Sequence, residues 1–233
     1  MEATLRFIAP PSRCEYLPGE VARLEYLQVD QMAAGEYLGF LRSGWRRFGH
    51  VLFRPACPAC RQCRSLRVAV ASFEPHRTQR RIARTNRGVV TIAIGAPAPS
   101  AETRALYEKF HRYQQWAKGW PSPDPDGADV FAENPFATEE WRYSVDGRLV
   151  AVGYVDVLPD GLSGIYFFYD PDERRRSLGT FNVLSIIDAA RARGLSWAYL
   201  GYYVRGCRSL EYKALFRPNE VLRDDGTWSP FQW

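Results

Sequence analysis

Four segments of the chain have the residue spacing of a helix. The first begins after Asp30 and carries its apolar residues on one face: Ala34, Tyr37, Leu38, Leu41 and Trp45. Helices are also predicted over 76–87, 102–116 and 180–193. Gly194 follows the last of these, and glycine is the residue that most often ends a helix.

Strands are predicted where β-branched and aromatic residues alternate with polar ones or form short apolar runs. These segments are 50–54, 66–70, 89–94, 141–145, 149–158, 162–169 and 197–204. Turn signals at 146–147 and 159–161 separate three consecutive strands, which predicts an antiparallel meander. The residues before Asp30 hold few long apolar runs, so no element is predicted there.

Length and composition predict a packed protein of one long domain or two smaller ones. The chain has 233 residues, 46% of them hydrophobic and 14% aromatic, unlike a disordered chain. Residues 95–100 are the predicted linker between 1–95 and 100–233, because two prolines there interrupt regular structure. No run approaches the roughly 20 apolar residues of a membrane helix. The first residues lack a secretory signal pattern, so we expect a cytoplasmic protein without membrane contact.

The charge of the chain indicates a polyanionic partner. Its net charge is +5, and nearly all of the basic residues are arginine. Five of them lie three or four residues apart in the helix predicted over 76–87, which places them on one side: Arg77, Arg80, Arg81, Arg84 and Arg87. Contact with an RNA backbone is the favoured interpretation, and a solvated basic face is the alternative.

Three cysteines, Cys57, Cys60 and Cys63, are each separated by two residues. This spacing lets a loop wrap around one metal ion or cluster. The chain has five cysteines and no signal pattern, which argues against a disulfide framework. A buried group of thiols without metal is the alternative.

The segment 169–180 joins a predicted strand to a predicted helix through three arginines and a Ser-Leu-Gly turn. Exposed amides at the start of a helix, together with guanidinium groups, attract phosphate or a developing oxyanion. An ordinary solvated turn is the alternative for this segment alone.

Several motifs in this order resemble the arginyl-tRNA–protein transferase family, and more closely its bacterial leucyl-transferring branch. The C-terminal motifs are FYDP, SLGT, YLGYYV and YKALFRP. The N-terminal ones are CEYLP at 14–18, LRSGWRRFG at 41–49, the three cysteines, and Gln79-Arg80-Arg81 followed by Asn86. Together they cover nearly the whole chain, so chance similarity at any single motif matters little.

The resemblance implies an α+β, acetyltransferase-like (GNAT-like) fold, with two such halves as an alternative. It also implies transfer of an amino acid, leucine more than arginine, from aminoacyl-tRNA to proteins that begin with Asp or Glu. The added residue would mark those proteins for degradation by the N-end rule pathway. The free α-amine would attack the ester carbonyl of the charged tRNA, so no covalent enzyme intermediate and no cofactor is required for the chemistry.

Within that resemblance, residues from five motifs receive roles. The catalytic candidates are Asp170, Ser177, Gly179, Tyr202 and Tyr203. The candidates for binding tRNA or the acceptor acid are Arg80, Arg81, Arg84, Asn86, Leu178, Lys213 and Arg217. An apolar pocket for leucine is expected from Tyr166, Phe167, Phe168 and Trp197.

The resemblance also marks Cys14 as a fourth metal ligand beside Cys57, Cys60 and Cys63, ahead of Cys207. An iron–sulfur cluster and zinc are both open, because four thiolates suit either. The adjacent cysteine pair of the family's eukaryotic branch is absent here.

Two other functions are kept as alternatives. A metal-stabilised RNA-binding module without transferase activity explains the cysteines and the arginines, but not YLGYYV or SLGT. A coenzyme-A-dependent acetyltransferase fits the fold, but the chain offers Arg-Ser-Leu-Gly-Thr where such enzymes have a Gln/Arg-x-x-Gly-x-Gly/Ala loop.

Overall fold

The computed structural model describes residues 2–98, 100–124, 127–132 and 134–232. Pro99 of the predicted linker and Pro125, Asp126 and Glu133 of the loop before the meander lie outside the described residues. The α-helices are α1 Ala34–Arg42, α2 Arg77–Asn86, α3 Ala101–Lys118, α4 Leu178–Ala192 and α5 Arg208–Glu211. Short 3-10 helices occupy Asp129–Phe131, Pro171–Arg176 and Tyr212–Leu215.

Fourteen strands are described. In the first part of the chain they are β1 Glu2–Ile8, β2 Ser12–Arg13, β3 Val21–Ala22, β4 Leu24–Gln31, β5 Arg46–Phe48, β6 Val51–Pro55, β7 Arg64–Ala69 and β8 Val90–Gly95. The others are β9 Thr138–Val145, β10 Arg148–Leu158, β11 Gly161–Tyr169, β12 Trp197–Tyr203, β13 Asn219–Leu222 and β14 Trp228–Pro230.

The main sheet has eight strands in the order β14-β13-β7-β12-β11-β10-β9-β8. Its described pairs are antiparallel except for β11 with β12, which run parallel. A four-stranded sheet, β1-β4-β6-β5, is antiparallel in each described pair. The parallel strands β11 and β12, connected through α4, are the feature that the acetyltransferase-like prediction requires, and the α+β class is confirmed. The alternative was that the smaller sheet forms a second acetyltransferase-like half. Its described strands contain no parallel pair, so that feature is not seen there.

Helices cover both faces of the main sheet. On one face α2 and α4 bury Ile82, Ala83, Phe181 and Leu184 against the strands. On the other face α3 packs on β10 and β11, and α1 packs with the smaller sheet around Leu158 and Tyr199. Arg47 of β5 and Asp156 of β10 form a fully buried ion pair that fixes the smaller sheet to the main one.

The predicted helices over 34–45, 76–87, 102–116 and 180–193 and the seven predicted strands are confirmed within a few residues. The four strands that end by Gln31, the short strand β5 and the last two strands were not predicted. In β4 the inward positions include Glu25, which is buried between Arg6 and Arg54 and interrupts the apolar alternation. β13 and β14 are too short to show a period.

The predicted division between 1–95 and 100–233 stays a prediction. The structure places β7 and β8, from before residue 95, in the same sheet as the later strands. In the described part of the chain, no helix is both long and apolar enough to cross a membrane.

Candidate active site

The two parallel strands separate toward their carboxyl ends. β11 and β12 pair from Gly161 with Trp197 as far as Ser163 with Tyr199, and their pairing ends there. A register shift between Tyr199 and the glycine two residues later turns β12 away. We call the opening between residues 164–169 of β11 and 200–203 of β12 the strand gap.

Arg46 of β5 reaches into the strand gap. It is buried, and its Nη2 donates to the carbonyl oxygen of Gly164 at 3.0 Å and to Oγ of Ser163 at 3.4 Å. Gly201 leaves the necessary space, since a Cβ atom there would lie 3.3 Å from Nη2. The φ angle of Gly201 is +80°, which only glycine adopts readily. The position of the Arg46 guanidinium therefore depends on a glycine at residue 201.

Lys213 approaches the same region from the 3-10 helix Tyr212–Leu215. Its Nζ donates to the carbonyl oxygen of Tyr202 at 3.2 Å. Burial first, and then the Arg46 guanidinium, lower the pKa of the Lys213 ammonium to about 7, against the opposing effect of Cys207. Among the ion pairs that the described residues form, none includes Arg46 or Lys213. Two cations thus converge on the strand gap.

Asp170, at the end of β11, holds the turn that leads to α4. One carboxylate oxygen pairs with Nζ of Lys109 at 2.6 Å and accepts from the Asp172 amide, and the other pairs with Arg148 at 2.6 Å. Burial raises the pKa of Asp170, but these donors outweigh it and the pKa is lowered. The geometry gives the carboxylate an anchoring role, and its predicted role in deprotonating the amine stays a prediction.

The turn delivers the chain to the start of α4 with exposed backbone groups. Ser177 has a left-handed backbone with φ of +54°, and its side chain makes no described capping hydrogen bond. The amides of Leu178 and Gly179 lie in the first turn of the helix, which contains no acidic residue. A Cβ atom at Gly179 would meet none of the described atoms within 4 Å. The surface at Gly179 therefore has room for a ligand, as an anion cradle at this helix end requires.

Helix α2 is fastened to this turn by Asn86. Its Nδ2 donates to the carbonyl oxygen of Arg176 at 2.9 Å, and also to Ile82 of its own helix. The exposed side of α2 carries four arginines outside the described ion pairs: Arg77, Arg80, Arg81 and Arg84. Arg174 and Arg175 of the turn are exposed as well. We call these six residues the arginine face.

The two tyrosines of β12 point away from the turn. The Tyr202 hydroxyl donates to the carbonyl oxygen of Gly44 at 2.8 Å, and burial raises its pKa well above the ordinary value. The Tyr203 ring packs on Phe231 with centroids 4.8 Å apart. Arg217 is exposed and donates to the carbonyl oxygen of Ala214 at 3.4 Å. The predicted roles of these three residues stay predictions.

The four aromatic residues predicted for a leucine pocket are not brought together. Tyr166 stacks on Phe131, with centroids 4.5 Å apart, in the cluster under α3, and Phe168 belongs to the same cluster. Phe167 packs on the α4 side. Trp197 lies at the paired end of β12, where the Arg67 guanidinium stacks on its ring.

Arg46 was not among the predicted site residues, although its motif was noted. An arginine beside Trp45 after an amphipathic helix gave no sign that the side chain would be buried in the sheet. The glycine within YLGYY was the available signal, because an isolated glycine in a strand marks a bulge or a close approach.

The four cysteines predicted as ligands line one cavity of about 410 Å³. Sγ of Cys14 accepts from the amides of the residues two and three positions later at 3.4 Å, and Sγ of Cys57 accepts from the Arg23 amide at 3.5 Å. Burial and the neighbouring thiols raise the pKa of Cys63 to about 12. Amide donors of this kind suit thiolate ligands, so the donor set fits a thiophilic ion. Within the described ranges, however, no group of three His, Cys, Asp or Glu side chains is arranged to hold one.

Two family models match the chain. The model described as "Arginine-tRNA-protein transferase, C terminus" matches residues 102–223, and the model described as "Arginine-tRNA-protein transferase, N terminus" matches residues 12–81. They include the turn before α4, the strand gap, α2 as far as Arg81, and the cysteines from 14 to 63.

Curated proteins named aspartate/glutamate leucyltransferase are similar over most of the chain. The protein of Campylobacter jejuni subsp. jejuni serotype O:23/36 is 35% identical over 224 residues, which cover 93% of this chain and 92% of the relative. The protein of Halorhodospira halophila is 37% identical, covering 91% and 92%. That of Pseudomonas fluorescens strain Pf0-1 is 38% identical, covering 94% of both.

Solved structures give weaker likenesses. A crystal structure of FemX aligns with 87% of this chain and 80% of its own at 9% identity, with a TM-score of 0.48. The structure of L-PGS from Bacillus licheniformis aligns with 76% and 52% at 12% identity, with a TM-score of 0.46. The architecture therefore rests on the strand order and pairing of this chain.

Proposed function

The chain belongs to the arginine-tRNA-protein transferase family, and from this we propose that it transfers leucine from leucyl-tRNA to the N-terminal α-amine of proteins that begin with Asp or Glu. The observation that carries the proposal is the likeness to the leucyltransferases, at 35–38% identity over more than nine-tenths of the chain. The motifs of the site lie inside the matched region.

The reaction is the aminolysis of an ester. The lone pair of the acceptor's α-amine attacks the carbonyl carbon of the leucyl ester, and a tetrahedral oxyanion forms. The bond from that carbon to the ribose oxygen of the tRNA then breaks, and the ribose hydroxyl leaves with a proton that came from the amine. Because the ester is already activated, positioning and stabilisation of the oxyanion supply much of the rate.

The start of α4 is the part of the site suited to negative charge. The amides of Leu178 and Gly179 lie at a helix end that no described side chain caps and that presents a partial positive charge, and a Cβ atom at Gly179 would meet open space. In this proposal they hold either the ester oxyanion or the last phosphate of the tRNA. Asp170 keeps the turn in place through Lys109 and Arg148.

The arginine face provides the surface for the rest of the tRNA. Asn86 joins α2 to the turn, so the exposed arginines of both elements belong to one surface that borders the start of α4. Phosphates bound by such a surface release counterions, which gives affinity without sequence preference. Arg80, Arg81 and Arg84 keep here the role that the sequence suggested.

The charge of the strand gap supports leucine as the transferred amino acid. Arg46 is positive, Lys213 with a pKa of about 7 is partly so near neutrality, and none of the described salt bridges includes either residue. An arginyl side chain near them would bring a third positive charge into a partly dehydrated region, whereas a leucyl side chain adds none.

The cysteines would hold a metal ion or cluster next to β12, since Cys63 packs in the same cluster as Tyr202. Cys14, Cys57, Cys60 and Cys63 would be the ligands, and zinc or an iron–sulfur centre would stabilise the loop between β6 and β7. No step of the transfer involves it. The test is the metal content of the purified protein. Cys60→Ser should lower both the metal content and the thermal stability.

We place the reaction in the cytoplasm, where charged tRNA is available, and its products would enter degradation by the N-end rule pathway.

The test of the proposed function is a competition between leucyl-tRNA and arginyl-tRNA carrying different labels, with peptides that begin with Asp, Glu or Ala. Leucine on the acidic peptides alone supports the proposal, and arginine instead would overturn the choice of donor. Binding of tRNA without transfer would favour the RNA-binding module.

A further inference from the structure

Two neighbouring arginines of β5 are both buried, but only one of them is neutralised. Arg47 has a fully buried side chain and pairs with Asp156, which also accepts from Thr138. Arg46 is 7% exposed and is bonded only to uncharged oxygens, of Gly164 and Ser163, in the described contacts. A buried charge is costly unless it is paired, so an unpaired one calls for an explanation.

A second cation shares this environment. Lys213 is half-buried and donates to a backbone carbonyl, that of Tyr202. Burial first, and then the Arg46 guanidinium, lower the pKa of Lys213. The two residues come from different parts of the chain, β5 and the segment after α5, but Arg46 lies beside Gly201 and Lys213 bonds to the adjacent Tyr202, where β11 and β12 have separated. This arrangement is unfavourable by itself and becomes favourable when an anion binds between them.

We propose that Arg46 and Lys213 together bind the side-chain carboxylate of the acceptor's first residue. This inference rests on the proposed function, since it names how that site recognises Asp and Glu. The planar guanidinium can donate two parallel hydrogen bonds to a carboxylate, and the ammonium adds a point charge. Asn and Gln have nearly the same shape but bring no charge, and leave the two cations unneutralised.

The position of the pair favours a carboxylate over a tRNA phosphate. Arg46 is buried in the strand gap, while the arginine face offers exposed guanidinium groups to a nucleic-acid backbone. The carboxylate of Asp or Glu lies on a side chain of only one or two methylene groups, so it requires less space to reach Arg46 than a nucleotide would. The same cations would repel an unblocked arginine or lysine at that position.

The test measures discrimination, using the full chain with leucyl-tRNA and peptides that differ only in Asp against Asn, or Glu against Gln. In wild type we expect a high ratio of kcat/KM for acid over amide. In Arg46→Gln and in Lys213→Gln we expect this ratio to fall about 10- to 100-fold, the loss of one charge-assisted bond. KM for the acidic peptide should rise and the rate with the amide peptide should persist.

Arg81→Gln serves as the matched control, because it removes an arginine from the arginine face. It should raise KM for tRNA and lower transfer to both peptides equally. If Arg46→Gln fails to fold, Arg46→Lys and Lys213→Gln carry the test, with circular dichroism as the check on folding. An unchanged acid-to-amide ratio in folded variants would overturn the inference. A wild type that transfers to no peptide would instead refute the proposed function.

Discussion

The side-chain amide of Asn86 donates a hydrogen bond of 2.9 Å to the backbone carbonyl of Arg176, and thereby joins α2 to the turn before α4. Asn86 is completely buried, so no water replaces this bond when the side chain is removed. The hydrogen bond makes the arginine face a single surface.

Replacing Asn86 by Ala should therefore affect both stability and tRNA binding. The carbonyl of Arg176 loses its donor, which we expect to cost about 1–3 kcal/mol in the free energy of unfolding. KM for tRNA should rise because the turn shifts relative to α2, while KM for the acceptor peptide stays unchanged. Urea denaturation and steady-state kinetics measure the two effects. Weakened acceptor binding with normal tRNA binding would contradict this account.

The double variant Arg81→Ala/Arg84→Ala tests the arginine face. We expect weaker tRNA binding. In a plot of log affinity against log salt concentration, the slope should become less steep by about one for each phosphate that the variant no longer neutralises. Arg87→Ala is the control on the same helix, because Arg87 already pairs with Asp188 at 2.6 Å. An equal effect of the control and the double variant would argue against a specific RNA surface.

Gly179→Ala separates folding from function at the start of α4. The added methyl group meets open space and alanine favours a helix over glycine, so stability should rise by up to about 1 kcal/mol. The same methyl group would obstruct a ligand held by these amides, and kcat/KM should fall. Gly39→Ala in α1 is matched, since it too is helical with open space among the described atoms. Gly39→Ala should stabilise the protein without loss of activity. A fully active Gly179→Ala would contradict the proposed anion site at the start of α4.

The two buried arginines should respond differently to replacement by Met. Arg47→Met leaves Asp156 buried without its partner, and we expect a loss of about 3–5 kcal/mol. Arg46→Met removes a charge that lacks a described carboxylate partner, so its loss should be clearly smaller while transfer to acidic peptides collapses. Chemical denaturation of both variants checks this contrast. Equal destabilisation would indicate that Arg46 is neutralised in the folded protein.

Recognition of the acidic residue should weaken as the pH rises through about 7. The pKa of Lys213 is lowered to about 7 by burial and by Arg46, against the opposing effect of Cys207, so the free enzyme loses this positive charge near neutrality. The ratio of kcat/KM for Asp over Asn peptides should therefore fall between pH 6 and 8, on the order of tenfold for full loss of the charge. The acceptor amine titrates in both peptides and cancels in the ratio. In Lys213→Gln the ratio should be independent of pH over this range.

The lowered pKa of Lys213 also has a consequence for folding. In the unfolded chain the ammonium keeps its ordinary, higher pKa, so above pH 7 the unfolded state holds more protons than the folded state. The contribution of Lys213 to stability therefore rises with pH from about 7 up to that ordinary value.

Local patterns were sufficient to predict the helices and the central strands. The arginines of α2 and the turn before α4 were found because each signal lies within a dozen residues. Arg46 was missed because its partners are remote: Ser163 is 117 positions away, and the fit to Gly201 depends on how β12 leaves β11. In the smaller sheet β6 was predicted, but β4 was missed because Glu25 occupies an inward position that its pattern would reserve for an apolar residue.

The most direct measurement of the central claim is mass spectrometry of an Asp-initiated peptide after incubation with the protein and leucyl-tRNA. The account predicts the gain of one leucyl residue at the α-amine, and no gain when that amine is acetylated or when Asp is replaced by Ala. No gain on the free Asp peptide, with tRNA bound and the protein folded, would contradict the claim that this chain is a leucyltransferase.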